Sequence, residues 1–197
     1  GVMGSHYAIS DGEEPAVAKA IGEQYRPGSS GGVLPETMAG RALALADKID
    51  ALTGYFGVGL IPSGSQDPFA LRRAAFGIIA IIKDAEIRVN LTSLIEQAYD
   101  LYGGNVQFKN DRSTTCALLD EFFRGRMRSA LADDGYRYDL VDAVLAGGLL
   151  DPFDFYSRVA ALDHVSGTAD FLTALAVFTR VSNLASKATT DVFDRST

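Results

Sequence analysis

The chain has 197 residues, 47% of them apolar and 22% charged, and a formal net charge of -7. That balance fits a soluble globular protein of one large or two small domains with a sizeable core, and it excludes a surface that is basic everywhere. The lone Cys116 excludes an internal disulfide framework and suits a reducing, cytoplasmic setting, while no apolar run reaches the roughly 18 residues of a membrane span and nothing resembles a signal peptide. A local basic patch for nucleic acid stays open, because binding follows where charge sits rather than its sum.

The chain starts "GVMGSHY" without Met at position 1 and reads as a piece of a longer protein. Residues 14–25 place Val17, Ala20, Ile21 and Tyr25 on one helical stripe, and "RPGSSGG" then forms a Gly/Ser-rich loop. From Glu36 the residues Met38, Ala42, Leu45, Ile49, Leu52 and Phe56 step by four and three, one face of a helix packed on a core. Gly54, Gly57 and Gly59 end it, and "IPSGSQ" is a turn-rich connector. Asp67 is a good N-cap and Pro68 a good first residue for a helix from Phe69 to Glu86. That helix is apolar on nearly all sides and therefore buried. Arg72 and Lys83, eleven residues apart, share its narrow polar stripe, with Arg73 and Asp84 beside it. Further helices are predicted at 91–102, 113–132, 137–146, 152–163 and 168–189, the fourth of the set opening on a second Asp-Pro pair, Asp151-Pro152. With no strand alternation and no internal repeat, the fold class is all-α. Two helical bundles are expected, residues 1–110 and 111–197, parted where "GGNVQFKND" breaks the pattern.

Candidate chemistry is sparse. Asp47 and Asp50 lie at i and i+3 opposite the apolar stripe, among Gly40, Leu43, Ala51 and Gly54. They read either as a solvated face or as carboxylates facing a metal or a buried cation. His6 and His164 are far apart without local ligand partners, so no metal site and no catalytic group is assigned. No nucleophile elbow is present, and the glycines of "GSSGG" follow no strand, so no phosphate-binding loop is assigned. Basic residues do gather: Lys109, Arg112, Arg124, Arg126 and Arg128 stand against Asp111, Asp120 and Glu121 between 105 and 130. Arg124 and Arg128 share a helix face, as do Arg180, Asn183 and Lys187. Such stripes suit RNA phosphates, while Asp120 four residues before Arg124 suits an ordinary helix ion pair.

"GVMGSHYAISDGE", "VAKAIGEQYRP" and the gapless "LPETMAGRALALADKIDALTGYFGVGLIPSGSQDPFALRRAAFGIIAII" together resemble the β subunits of bacterial α2β2-type glycyl-tRNA synthetases. Weaker similarity continues through "LYGGN", "DEFFRGRMRSALADDGYRYDLVDAVLA" and "FTRVSNLASK", so the resemblance covers essentially the whole chain. It implies a central fragment of the subunit, with N-terminal domains before Gly1 and an anticodon-binding domain after Thr197, of which "RVSNLASK" resembles the first helix. It also implies that the first bundle is similar to a degenerate HD domain. Asp47 falls at that domain's aspartate position, and Gln24 and Tyr25 fall where its paired histidines would stand.

The family implies the joining of glycine to tRNA at the expense of ATP, with the adenylate-forming site, its ATP and its Mg in the α subunit. The β subunit then handles tRNA, and the fragment itself has no cofactor, no metal and no catalytic residue. On this reading Lys109, Arg112, Arg124, Arg128, Arg180 and Lys187 are candidate tRNA contacts. Arg72 and Arg73 are expected either to pair internally with Asp47 or Asp50 or to reach RNA phosphate. The rival expectations are an HD-type metal-dependent phosphohydrolase and a module that only joins the α and β subunits.

Overall fold

The computed structural model describes residues 1–104, 106–148 and 151–187, and among these it contains nine helices and no strand. They are α1 (Val2–Ser10), α2 (Pro15–Glu23), α3 (Met38–Gly57), α4 (Leu71–Asp84), α5 (Leu91–Leu101), α6 (Arg112–Asp133), α7 (Tyr138–Leu145), α8 (Pro152–Ser166) and α9 (Ala169–Ala185). The all-α expectation holds. Helix α1 was not foreseen, because it carries little periodic contrast and Val2, Met3, Tyr7 and Ile9 are all exposed. Residues 188 and 189 of the last predicted helix lie outside the described residues.

Side-chain caps explain most of the starts. Thr37 accepts from the Gly40 amide, Asn90 from Ser93, Asp111 from Thr114 and Thr168 from Phe171. Each satisfies an amide that has no carbonyl partner inside its helix. The two Asp-Pro pairs behave differently. At Asp151 the carboxylate accepts from the Phe153 and Asp154 amides, and α8 begins at Pro152 as expected. At Asp67 the expectation needs correction. Residues 67–70 form a turn, Ala70 sits in the left-handed region at φ 55°, and α4 begins only at Leu71. The Asp67 carboxylate still serves this start, accepting from the Leu71 and Arg72 amides at 2.8 and 2.9 Å. The turn swings Phe69 out of the helix onto Tyr55, with ring centroids 4.3 Å apart.

α3 is the hub, touching α2, α4, α5 and α6. Its C-terminal half carries the expected core stripe, with Ile49, Leu52 and Phe56 buried, whereas Met38 is exposed where the helix begins. α2 buries the predicted Ala20 together with Ala18 and Glu23, whereas the predicted Val17 and Tyr25 are exposed. Small residues on that face let α1 and α3 approach closely. One hydrophobic core joins Leu52 and Phe56 of α3, Ile78 and Ile82 of α4, Ile95 of α5, Leu119, Phe123 and Met127 of α6, and Val159 of α8. It holds residues from both sides of position 110, where the loop is tied back to α3. The Lys109 and Asn110 amides donate to the Gly57 carbonyl, and the Asn110 side chain donates to the Phe56 carbonyl. α4 buries Leu71, Ala75, Gly77, Ile78, Ile79, Ile81 and Ile82, as its all-round apolar sequence requires. α9 buries nothing.

Candidate nucleic-acid interface

Folding separates the basic residues into two groups. Arg112 bridges Glu96 and Asp100 across to α5. Arg124 pairs with Asp120 at 2.6 Å and donates to the Leu145 carbonyl at 2.8 Å, fixing α6 to the end of α7. Arg128 pairs with Asp142 of α7 at 2.6 Å. These three predicted contacts are therefore held in ion pairs, although Arg112 and Arg128 remain about half exposed. Lys109, Arg180 and Lys187 are exposed and have no carboxylate partner among the described residues. Lys109 lies against Gly59, far along the chain from the α9 pair.

The second group gathers at the start of α4. The Arg72 guanidinium donates to the Gly64 carbonyl at 2.7 Å and to the Gln66 carbonyl at 3.4 Å, and Arg73 donates to the Gly28 carbonyl at 3.4 Å. The expected pairing of Arg72 and Arg73 with Asp47 or Asp50 is not formed. The α4 stripe faces the connector 64–66 and the loop at Gly28, while Asp47 is taken by Gln24, whose amide donates to it at 2.8 Å. Asp50 is exposed, and its carbonyl accepts from the Tyr102 hydroxyl. Burial, then the Asp50 carboxylate, pushes that phenol up to about 12.

Arg126 joins this group from α6, and the sequence reading did not count it as a site. Its guanidinium lies over Phe76 and Phe122, 5.7 and 5.5 Å from the ring centroids, and its buried Nε has no hydrogen-bond partner among the described residues. Burial, and next the like charge of Arg72, lower its affinity for a proton; Asp67 partly offsets them. The signal was present as Phe122 and Arg126 at i, i+4, an aromatic and a cation on one helix face.

Arg72 and Arg73, though not Arg126, border a cleft of about 620 Å³ along α4. Phe76, Gly77, Ile79 and Ala80 of α4 line it, together with Asp67, the loop residues Pro27, Ser29, Ser30, Gly31, Gly32 and Leu34, and Ala130, Asp133, Asp134 and Tyr156. Arg72 and Arg73 stand at one end of the α4 segment. Lys83 stands at the other, pairing with Asp134 at 2.6 Å and lying 4.6 Å from the Tyr156 ring centroid. Burial, followed by the charge of Asp134, raises the Tyr156 hydroxyl well above the ordinary tyrosine range. The Gly/Ser loop that follows no strand is thus brought opposite the arginine pair. A Cβ on Gly28 or on Gly31, which has φ +69°, would meet open space.

Beside the cleft, the junction of α2 and α3 is closed by charge. Glu23, 2% exposed, accepts from the Glu36 and Thr37 amides and the Thr37 hydroxyl. Burial raises its carboxyl, but those bonds, with Lys19 nearby, outweigh it and hold the group below the usual glutamate value. A side chain on Gly40 would overlap this carboxylate. Lys48 is 6% exposed and donates only to the Gln24 carbonyl, at 3.4 Å, among the described residues. Burial lowers its ammonium, and Asp47 partly restores it. No group of three or more His, Cys, Asp or Glu that could hold a metal is found among the described residues.

Residues 1–146 match the family model described as glycyl-tRNA synthetase beta subunit. The chain belongs to that family. It is 43% identical to the glycine--tRNA ligase beta subunit of Desulforamulus reducens over 96% of its length, and 41% identical to that of Clostridioides difficile over 100%. Against the Salmonella typhi protein of the same name it is 42% identical over 98%. The aligned parts are 27%, 28% and 28% of those relatives, so the chain spans just over a quarter of their length. No helix among its described residues is long and apolar enough to cross a membrane.

Proposed function

We propose that this chain is the tRNA-handling part of a glycyl-tRNA synthetase β subunit and has no catalytic group of its own. It supports ATP-dependent attachment of glycine to glycine tRNA at an active site in the α subunit, where ATP and Mg are bound, within an α2β2 assembly. Family membership supports the reaction. The observation that carries the tRNA role is the set of arginines at the start of α4, Arg72, Arg73 and Arg126, which rest on carbonyls and aromatic rings rather than on carboxylates. Cations with no internal anion are the groups that can exchange counterions for RNA phosphates. Lys109, Arg180 and Lys187 extend the candidate contacts, whereas Arg112, Arg124 and Arg128 act first as struts between helices. Holding the acceptor in place lowers the barrier by orientation, without any chemical group acting on the bond.

The test is an anisotropy titration of the chain with glycine tRNA and a non-cognate tRNA at two salt concentrations. Binding that weakens steeply with salt is expected. Failure to bind either tRNA at low salt would assign recognition to other parts of the subunit. A second reading, that this part mainly joins neighbouring parts of the synthetase, is favoured by α9, where Leu172, Leu175, Val177, Phe178, Val181 and Leu184 are all exposed. Under that reading, association with the rest of the complex is insensitive to salt and RNA does not bind.

A further inference from the structure

We infer that the cleft along α4 is a binding site for one nucleoside monophosphate unit, held with its phosphate toward Arg72 and Arg73 and its nucleoside toward Asp133 and Tyr156. This deepens the tRNA reading by naming the ligand unit, and it has a test of its own. The volume of about 620 Å³ lies in the range of small-ligand sites, and the lining joins apolar surface to charged and polar side chains. The cleft is also polarised. Ten or eleven residues separate the arginine pair from Lys83, about 15 Å along a helix, so one end cannot be served by a bare phosphate bound at the other.

The arginine end has the chemistry of an anion site. Neither guanidinium has a carboxylate partner among the described residues, and Asp67, the acid nearest to them in sequence, is occupied by the α4 amides. Ser29, Ser30, Gly31 and Gly32 line the same cleft, and the two short hydroxyl side chains are of a kind that meets phosphate oxygens. The far end is different. Lys83 is neutralised by Asp134, which also holds the Tyr156 hydroxyl, and this leaves Asp133 as an acceptor suited to ribose hydroxyls or base amino groups beside the tyrosine ring. Phe76 and Ile79 supply apolar surface between the two ends. A free nucleotide and a terminal nucleotide of an RNA strand share this chemistry.

The experiment is calorimetric titration of the 197-residue chain with AMP, adenosine and inorganic phosphate, repeated on Arg73→Glu. Arg73 is exposed and makes one long hydrogen bond, so its replacement leaves the core intact; far-UV circular dichroism checks this. AMP is expected to bind at least about tenfold tighter than either fragment, and Arg73→Glu to weaken AMP about tenfold while leaving adenosine unchanged. AMP binding no tighter than adenosine, or unaffected by a folded Arg73→Glu, overturns the proposal. A second variant, Ala80→Leu, narrows the cleft from the α4 side and should weaken AMP and adenosine alike. Competition between AMP and a short single-stranded RNA identifies the strand end as the source; AMP binding without competition identifies the free nucleotide, and either supports the site. If tRNA binds with steep salt dependence while AMP does not bind, the cleft proposal fails and the tRNA role stands. If AMP binds and tRNA does not, the reverse holds.

Discussion

Two regions of this molecule use the same residue types for opposite ends. On the α6–α8 side, and at Glu23 of the α2–α3 junction, charges are matched. Arg124 meets Asp120, Arg128 meets Asp142, Arg88 meets Asp151 and Asp154, and Glu23 is enclosed by donors. Around the start of α4, Arg72, Arg73 and Arg126 have no such partners among the described residues and lie on carbonyls and rings. The difference separates cations that hold helices together from cations that remain able to meet an outside anion. Counting basic residues along the sequence does not separate the two kinds, since three of the five in the run at 109–128, Arg112, Arg124 and Arg128, are matched.

The contrast can be broken at its strongest point first. Glu23→Gln should lower stability by about 2–3 kcal/mol in denaturant melts, because a buried charged acceptor loses part of its bonding. The same variant tests the pH dependence. The folded carboxyl lies below its ordinary 4.5, so its contribution is fully present above that value and is lost as pH falls through the depressed one. The acid limb of the melting profile should therefore flatten in Glu23→Gln; an unchanged limb would refute the assignment. Asp67→Ala should cost about 1–2 kcal/mol through the two α4 amides it leaves open. Arg124→Ala should cost about 1 kcal/mol in thermal melts and leave tRNA affinity unchanged, since its carbonyl and carboxylate partners are internal. Arg73→Ala should do the reverse, with stability within about 0.5 kcal/mol of the parent and a salt slope for tRNA smaller by about one ion. Equal losses of tRNA affinity in Arg124→Ala and Arg73→Ala would erase the distinction. Least in size, Lys48→Met should be neutral or slightly stabilising, because it replaces a buried ammonium with one long hydrogen bond by an apolar chain of similar volume.

Most of the helices were legible because burial writes a period into the sequence: the stripe from Ile49 to Phe56 and the cap Asp151 both recur in the fold. α1 was illegible because so little of it is buried that no apolar stripe forms. The two Asp-Pro pairs carry the same local signal, yet one opens a helix and the other a turn; the outcome at Asp67 depends on Phe69 reaching Tyr55, a contact between distant residues. The site was less legible for the same reason. That Arg72 faces a connector carbonyl and Arg73 the Gly28 loop, rather than Asp47, depends on which way α4 lies on α3. Spacing within one helix holds no record of that.

The exposure of α9 has a consequence for how the chain loses its structure. A helix of 17 residues with no buried side chain is held mainly by its own backbone, close to the length at which isolated helices are marginal in water. It should fray residue by residue on warming, ahead of the single cooperative melting expected of the core shared by α3 to α8. Amide hydrogens of residues 169–185 should accordingly exchange orders of magnitude faster than those of Leu119 or Phe123, which makes α9 an internal thermometer for whatever comes to rest against it.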